Sequence, residues 1–411
     1  MYLEKLSLHN YRGIRDMEIE FDRHLNVFVG DNGCGKTSIL DALVRGVSAA
    51  RINHVAGTER QNLENILLIA SYDIMNDESC AMYELSFSVQ GKPVAVVSSS
   101  NPEEISSSLK EKFERLDHLE RMYFPADRGF GFSAAPPSRD ALNGVRNIDP
   151  RIALIMDRSS PFLYELLWIK NQEDRENAQL RRMIDSDEPL NSFKENIKLK
   201  AVKQAISKIT GFKNFAFYAD EDAFSVVKKE GEHSLVVNQL SLGEQVYLGL
   251  IAAIATNVVL NAPDDINPLE HACLVLIDEI DLHLHPKWQR RIVPALRETF
   301  PNCQFIITTH SPQVLSEVPA ENIFSLYRDE NGDIKYDKPK LSKGLNSSEI
   351  LQEVMDLSAF SPDFEEDLNR IYTLIEEEEF EEAKKLIEKY EEEFGDVPAL
   401  IKARTVLELS E

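Results

Sequence analysis

One octapeptide in the chain, residues 30–37, combines glycine, lysine and threonine at a spacing that suits phosphate binding. It reads Gly-Asp-Asn-Gly-Cys-Gly-Lys-Thr and fits the pattern G-x-x-x-x-G-K-[ST], whose glycines let several backbone N–H groups point at one anion. The apolar run 25–29 before it predicts a strand, and residues 38–43 after it predict a helix whose N-terminus adds partial positive charge. We therefore predict a nucleotide site in which Lys36 reaches the β- and γ-phosphates and Thr37 binds Mg²⁺.

Two consecutive carboxylates, Asp278 and Glu279, end the apolar run 273–277. In a parallel sheet, the carboxyl ends of the strands meet at the edge where ligands bind, so this pair should lie beside the phosphate loop. An apolar run with an acidic pair also occurs at ordinary strand ends, and the prediction therefore depends on the phosphate loop upstream. It assigns Asp278 to Mg²⁺, together with Thr37, and Glu279 to the polarisation of the water that attacks the γ-phosphate.

The segment 240–245, Leu-Ser-Leu-Gly-Glu-Gln, opens an apolar helical stretch. Ser241 and Glu244 have the S-x-x-E spacing of a capping box, so a helix cap alone would explain Ser241. A capped helix N-terminus with Gly243 close by is also a good anion site. The two interpretations are compatible, and we predict that this helix end binds a γ-phosphate.

Histidines follow two of the apolar runs. A lone histidine after a strand is usually structural, but His310 follows the run 305–308 at a distance from the acidic pair that places it near the γ-phosphate. His283 and His285 would form a metal site with Asp281, but no further ligand is spaced to complete it. We therefore predict a catalytic role for His310 and no separate metal site at the other two histidines.

The elements that must position these side chains predict an α/β fold. The continuous apolar runs 273–277 and 305–308 are typical of parallel strands that are buried on both faces. Residues 242–260 predict a mostly apolar helix. Residues 151–210 are helical and highly charged without sustained heptads, which indicates a short helical insertion. Residues 364–409 predict three short amphipathic helices.

The chain has 411 residues and a net charge of −25, which disfavours strong unaided binding to nucleic acid. The charge is uneven, because residues 361–411 hold 17 acidic and 6 basic side chains, so a local basic groove elsewhere stays open. The four cysteines form no paired spacing, as expected in a reducing cytoplasm. No apolar stretch reads as long enough to cross a bilayer, and the first residues lack the pattern of a signal peptide. We expect a cytoplasmic protein with no membrane contact.

The motifs together resemble the SMC/RecF branch of ABC-type ATPases. Asn-Tyr-Arg-Gly at 10–13, the phosphate loop, the segment 240–245, the acidic pair with Asp281, and Thr309-His310 stand in that family's order, and the match covers about residues 1–327. Asn32 is typical of the branch, and Arg12 matches a family position near the nucleotide. Leu242 departs from the commonest family motif. No Q-loop glutamine is visible, and the segment 123–128 with Arg128 is its weak substitute.

This resemblance implies a head-to-tail dimer that closes over two ATP molecules. One subunit supplies the phosphate loop, Asp278, Glu279 and His310, and the other supplies Ser241 and Gly243. The implied architecture is an ABC-type P-loop ATPase head with a short helical arm insertion and a C-terminal helical tail: an N-terminal lobe at 1–150, the arm at 151–235, a C-terminal lobe at 236–327 and an acidic tail at 345–411. The implied ATP-binding residues are Arg12, Gly30, Asn32, Gly33, Gly35, Lys36, Thr37, Ser38, Ser241 and Gly243.

The short arm, the segment 123–128, the stretch 278–286 and the acidic tail are similar to the PtuA ATPases of Septu and retron-associated anti-phage systems. That resemblance implies a switch that controls a separately encoded HNH-type nuclease. Either residues 345–411 or the arm would dock the nuclease, and DNA or tRNA would be reached through the complex. No intrinsic nuclease activity is expected. The alternatives are a RecF-like recombination ATPase and an OLD-type nuclease, although the helical residues after His310 show no TOPRIM pattern. A transporter ATPase is weaker still.

Overall fold

The computed structural model describes residues 2–49, 75, 81–89, 92–99, 121–124, 163–218, 223–227, 233–357, 362–395 and 397–410. Of the predicted Q-loop substitute at 123–128, residues 125–128 with Arg128 lie outside them, as do all residues from 103 to 120. The polypeptide divides into two compact units, Met1–Gly344 and Leu345–Glu411.

Thirteen strands occur in the described residues. They are β1 Tyr2–Tyr11, β2 Ile14–Glu20, β3 Leu25–Gly30, β4 Met82–Val89, β5 Lys92–Ser99, β6 Arg121–Phe124, β7 Lys213–Tyr218, β8 Ala223–Val227, β9 Leu235–Val236, β10 Leu274–Ile277, β11 Gln304–Thr308, β12 Ile323–Arg328 and β13 Ile334–Asp337. The α-helices are α1 Lys36–Ala49, α2 Leu163–Asp185, α3 Ile197–Thr210, α4 Leu242–Asn261, α5 Pro286–Thr299, α6 Pro312–Leu315, α7 Ser347–Glu353, α8 Pro362–Glu376, α9 Phe380–Phe394 and α10 Pro398–Ser410.

A six-stranded sheet positions the predicted site. Its order is β13-β12-β3-β11-β10-β6, in which β12, β3, β11, β10 and β6 are parallel and β13 is antiparallel. Thr308 pairs with Phe28, and Ile277 pairs with Ile307, so β3, β11 and β10 end at the same edge. This sheet, flanked by helices, confirms the predicted α/β class and brings the phosphate loop and the acidic pair to one edge.

The central strands are apolar because both faces of the sheet are covered. Every residue of β10 and β11 is buried. Phe28 on β3 stacks on Phe324 of β12 with ring centroids 4.9 Å apart. The continuous apolar runs in the sequence therefore predict these two strands correctly.

A second, antiparallel sheet has the order β2-β1-β4-β5. Its buried leucines on β1 share one hydrophobic core with the apolar side chains of α1. Strands β4 and β5 form an antiparallel hairpin, whose turn at 90–91 lies outside the described residues. Because this core contains α1, the phosphate-loop helix is held between the two sheets.

Helices α2 and α3 occupy the charged stretch that predicts a helical insertion. Asn196 caps α3 by accepting the N–H groups of Lys198 and Leu199, and Gly211 ends it in the left-handed conformation with φ 79°. A small antiparallel sheet, β7-β8-β9, follows α3. Both α2 and α3 pack on α4, the helix that begins at the Ser241 segment.

Helix α4 corrects one expectation from the sequence. By length and composition alone it is apolar enough to cross a membrane, whereas the sequence reading found no such stretch. Residues 246–259 are all buried inside the first unit. A helix that is buried in a protein core is also apolar on all sides, so the composition of α4 is only weak evidence for a membrane span.

The second unit contains the three predicted tail helices. Their shared apolar core is formed by Leu368, Ile371, Ile375, Ala383, Ile387, Tyr390, Leu400, Ala403 and Leu407. These residues recur at helical spacing, so each helix has one apolar face and one charged face. A shorter helix, α7, precedes them and is capped by Asn346.

Candidate functional site

The phosphate loop connects β3 to α1 and needs glycine at two positions, where a positive φ coincides with a close neighbour. At Gly30, with φ 145°, a Cβ would lie 2.3 Å from the carbonyl oxygen of Leu326 on β12. At Gly35, with φ 87°, a Cβ would lie 3.0 Å from Ile334 Cδ1. Only a residue without a side chain combines these backbone angles with such close neighbours. The loop is therefore shaped by its neighbouring strands as well as by its own sequence.

Lys36 is folded back over the loop that precedes it. Its Nζ donates to the carbonyl oxygens of Gly30 at 2.7 Å and Asp31 at 2.8 Å. The side chain is 6 % exposed, and burial lowers the pKa of its ammonium group. A phosphate would offer this buried cation a charged partner in place of two neutral carbonyls, and charge-assisted hydrogen bonds are the stronger kind.

Thr37 and Asp278 meet at the carboxyl edge of the sheet. The Thr37 hydroxyl donates to Asp278 Oδ2 at 3.2 Å, although the two residues lie on different elements. Thr37 is exposed, whereas Asp278 is 3 % exposed. A hydroxyl and a carboxylate are oxygen donors of the kind that Mg²⁺ prefers. These two side chains therefore fit the predicted metal position.

Thr308, which the sequence reading missed, holds the acidic pair in place. Its hydroxyl donates to Asp278 Oδ1 at 2.5 Å and accepts the backbone N–H of Glu279 at 2.7 Å. Glu279 adopts φ 48°, a left-handed conformation that is uncommon for a non-glycine residue. Thr308 is fully buried at the end of β11. A strand-end threonine next to β10 is the signal that could have found it.

Asp281 organises the turn after β11. Its Oδ1 accepts the Thr309 hydroxyl at 2.5 Å and the backbone N–H of His310 at 3.2 Å. His310 is half-buried and begins the segment that leads into α6. The backbone N–H of His310, the predicted catalytic histidine, is therefore bonded to the segment that follows the acidic pair.

The histidine pair does not form a metal site with Asp281 in this structure. His283 is exposed with φ 64°, and the ring of His285 accepts the N–H of Lys287 as the cap of α5. Among the residues that the structure describes, no group of three or more His, Cys, Asp or Glu side chains could hold a metal ion.

Ser241 and Gly243 contact their own neighbourhood and not the phosphate loop. Glu244 Oε2 accepts both the N–H and the hydroxyl of Ser241 at 2.8 Å, and Ser241 is exposed. A Cβ on Gly243 would lie 2.3 Å from the carbonyl oxygen of His283, so this glycine is required by a close approach of two backbones. The end of α4 is thereby packed against the segment that follows Glu279.

Three other predicted residues lie in the loop or next to it. Arg12, with φ 53°, forms an ion pair with Asp41 on α1 at 2.7 Å and lies over the Tyr11 ring. Asn32 is exposed and Ser38 is half-buried. Arg12 is thus attached to the helix that the phosphate loop begins.

A second arginine next to the loop has no sequence signal. Arg328, at the end of β12, donates from Nη2 to the carbonyl oxygen of Gly33 at 2.9 Å. The two residues are 295 positions apart, and only the pairing of β12 with β3 brings them together.

Two cavities, of about 460 and 500 Å³, lie next to the C-terminal end of α5. The first is lined by residues such as His24 and Cys303, which precede β3 and β11 and so mark the opposite edge of the sheet. Neither cavity includes a residue of the phosphate loop. The candidate site is therefore defined by its side chains and does not coincide with either cavity.

The chain is similar in sequence to several known proteins. The family model AAA_21, described as "AAA domain, putative AbiEii toxin, Type IV TA system", matches residues 25–316. The chain is 28 % identical to the Retron Ec83 probable ATPase of Escherichia coli, over 98 % of this chain and 86 % of that protein. It is 22 % identical to the Septu protein PtuA of Bacillus thuringiensis, over 95 % of this chain and 92 % of that protein. The resemblance to Septu-type ATPases inferred from the motifs is confirmed.

Among solved structures, the SMC head domain from Thermotoga maritima is 17 % identical and aligns with a TM-score of 0.45, covering 83 % of this chain and all of that one. The recombination mediator protein RecF of the RecFOR pathway is 16 % identical with a TM-score of 0.40, covering 82 % of this chain and 98 % of that one.

Proposed function

Since the chain belongs to the AAA_21 family, we propose that it is an ATPase of anti-phage defence whose ATP-dependent dimerisation controls a separately encoded HNH-type nuclease. The observation that carries the ATPase assignment is the meeting of Lys36, Thr37, Asp278 and Glu279 at one edge of the parallel sheet. The defence assignment rests on the similarity to proteins named as retron and Septu ATPases.

The placement of these side chains supports the following route for ATP hydrolysis in this proposal. Lys36 leaves the two loop carbonyls and binds the β- and γ-phosphates, which keep it charged. Thr37 and Asp278 would hold Mg²⁺, and the ion would supply positive charge to the transferring phosphoryl group. Glu279 orients the attacking water and accepts its proton, while His310 contacts the γ-phosphate. The Thr308 hydroxyl keeps Asp278 and the backbone of Glu279 in register for these roles.

A second copy of the chain completes the site in this proposal. Ser241 is exposed at the N-terminus of α4, where partial positive charge favours an anion, and its own contacts do not reach the phosphate loop of the same copy. A head-to-tail dimer presents Ser241 and Gly243 of one copy to the γ-phosphate on the other. ATP then lies between the copies, and hydrolysis releases them.

The resemblance to Septu-type ATPases supports the assignment of the nuclease to a partner. Among the described residues from 338 to 410 there are helices and no strand, which does not suit a strand-borne nuclease domain of the OLD type. Contact with DNA or tRNA is therefore proposed to occur through the complex. The acidic composition of the chain supports this division.

Glu279→Gln is the test of the switch. This variant loses the proton acceptor but keeps Lys36, Thr37 and Asp278, so we expect phosphate release to fall at least 100-fold while ATP still drives dimerisation. Phosphate release and light scattering with and without ATP measure the two properties. Unchanged phosphate release from Glu279→Gln would contradict the role assigned to Glu279.

The matched controls are Lys36→Ala and Ser241→Arg, each of which removes one half of the composite site. Alone, neither variant should dimerise with ATP. Mixed together, they should recover association, because one intact site forms from the loop of the Ser241→Arg copy and the helix end of the Lys36→Ala copy. No recovery in the mixture, with both variants folded, would count against the head-to-tail arrangement.

A further inference from the structure

The β12–β13 hairpin contacts all three glycines of the phosphate loop. Gly30 pairs with Leu326, whose carbonyl occupies the space of a Cβ. The Gly33 carbonyl accepts a hydrogen bond from Arg328 at 2.9 Å. Gly35 lies against Ile334 on β13. The whole hairpin, 323–337, lies in sequence beyond the family match at 25–316, and yet it contacts the loop at these three glycines.

Arg328 is fixed at both ends of its guanidinium group. Nη2 donates to Gly33 of the loop, while Nη1 donates to the Gly332 carbonyl in the turn of its own hairpin at 2.8 Å. A planar guanidinium with two anchored nitrogens has little freedom left. The position of the Gly33 carbonyl is therefore set by the hairpin.

Fixing the Gly33 carbonyl also fixes the next N–H. The peptide between Gly33 and Cys34 is trans and planar, so its carbonyl and the Cys34 N–H point to opposite sides. With the carbonyl directed to Arg328, the N–H is directed into the loop, where it donates to the Asp31 carbonyl at a long 3.3 Å. The same carbonyl accepts Lys36 Nζ at 2.8 Å. Both donors of this pair are available to an anion that displaces the Asp31 carbonyl.

We propose that Arg328 is a positioning residue for ATP binding, which holds the Gly33 carbonyl outward so that the Cys34 N–H points at the phosphate. This inference rests on the proposed function, since it names a further determinant of the same ATP site. Without Arg328 the peptide is free to rotate, and ATP must then restrict it on binding. The loss appears in the affinity for ATP, while the turnover of bound ATP depends on Asp278 and Glu279 and stays close to normal.

The hairpin does not depend on Arg328 for its own place. Arg15 on β2 binds Asp333 through Nε at 3.2 and 3.3 Å, and the Tyr336 hydroxyl donates to the Glu18 carbonyl at 2.9 Å. These contacts attach the hairpin to the antiparallel sheet. Removing the Arg328 side chain therefore changes the loop contact and leaves the hairpin attached.

The experiment measures ATP affinity of the full chain by calorimetry for the wild type, Arg328→Ala, Arg328→Lys and the control Arg15→Gln. We expect the Kd for ATP to rise about tenfold in Arg328→Ala, because a hydrogen bond from a charged donor is lost. The Kd of Arg328→Lys, which keeps one donor, should rise only about threefold. The Kd of Arg15→Gln should stay within about twofold of the wild-type value. KM should follow Kd, and kcat at saturating ATP should change less than about twofold.

Two results would overturn the inference: a Kd for Arg328→Ala within about twofold of the wild type, or an equal rise in Arg15→Gln, which would indicate a general effect of the hairpin. Absence of ATP binding by the wild type would instead overturn the proposed function, and this inference with it. The melting temperature without nucleotide checks that each variant is folded. If Arg328→Ala does not fold, Arg328→Gln, which keeps a neutral donor, is judged by the same comparison.

Discussion

Asp278 and Glu279 take their positions from a hydroxyl on the neighbouring strand. Thr308 is fully buried, and its single oxygen serves both the carboxylate of Asp278 and the backbone of Glu279. A buried acceptor that loses its donor carries the full cost of its desolvation. Thr308 should therefore matter for both stability and catalysis, although it need not touch ATP.

Thr308→Val tests this bridge, because valine keeps the shape of threonine and removes the hydroxyl. We expect the free energy of unfolding to fall by about 1–3 kcal/mol. We expect kcat to fall about 10- to 100-fold, since a small misplacement of catalytic groups is costly. Denaturant unfolding and phosphate release measure the two effects. Thr308→Ser keeps the hydroxyl and should retain most activity; equal activity of the valine and serine variants would refute the bridge.

At the scale of single residues, the sequence predicts the functional residues that belong to contiguous motifs. The phosphate loop and the acidic pair are recognisable because their spacing is local. Thr308 and Arg328 are not, because each acts on residues brought near by strand pairing. Gly243 was predicted for its place in a phosphate-binding motif, whereas the structure gives it a packing reason, the carbonyl of His283. Its proposed contact with ATP stays a prediction.

Helix α4 begins next to Ser241 and packs against helices α2 and α3. In its C-terminal half, Asn257 donates to Glu165 of α2 at 3.0 Å. Glu165 is 1 % exposed, and its other carboxylate oxygen has no hydrogen-bond partner among the described residues. Burial raises the pKa of Glu165 from 4.5 to about 7. The contact between α2 and α4 therefore contains a group that titrates near neutral pH.

The pH dependence of stability follows from this pKa. Between pH 4.5 and 7 the folded chain keeps a proton on Glu165 that the unfolded chain has lost, so the stability contributed by Glu165 falls as pH rises through this window. We expect Glu165→Gln, which resembles the protonated acid, to exceed the wild type in stability by less than about 1 kcal/mol at pH 5 and by about 3 kcal/mol at pH 8. Denaturant unfolding at both pH values measures this. A constant difference between the two proteins at pH 5 and pH 8 would contradict the assignment.

Elements were predictable where one physical pattern dominates them. The strands β10 and β11 are apolar throughout because both faces are covered, and the tail helices show amphipathic spacing because one face is buried. The length of α4 was also predicted, but its membrane-like composition was overlooked, since burial in a core and in a bilayer select the same residues. The order of the sheet, with β3 between β12 and β11, depends on long-range pairing that no local pattern encodes.

The chain divides into two compact units, of which the first contains the candidate ATP site and the second has its own core. The candidate site residues and the residues that support them lie within Met1–Gly344. The unit Leu345–Glu411 has a nine-residue core of its own and carries much of the negative charge of the chain. This separation suggests a division of labour, in which the head binds ATP and the acidic unit binds the partner.

Deletion of residues 345–411 tests that division. The truncated head keeps Lys36, Thr37, Asp278 and Thr308, so its Kd for ATP and its phosphate release should stay within about twofold of the full chain. Its recovery of the co-expressed HNH-type nuclease should fall at least tenfold, because the acidic docking surface is gone. For the full chain, this recovery should weaken as salt is raised, since ion pairs at a surface are screened.

The matched control keeps the chain length and disrupts only the fold of the second unit. Ile371 is fully buried in the core of that unit, and Ile371→Asp introduces a charge there. This variant should lose the nuclease as the deletion does and should keep ATP binding. Recovery of the nuclease by the truncated head would place the docking surface elsewhere, for example on helices α2 and α3.

Cleavage of plasmid DNA or tRNA by the chain alone, with ATP and Mg²⁺, would contradict a separate nuclease altogether, because the cutting groups would then belong to this polypeptide.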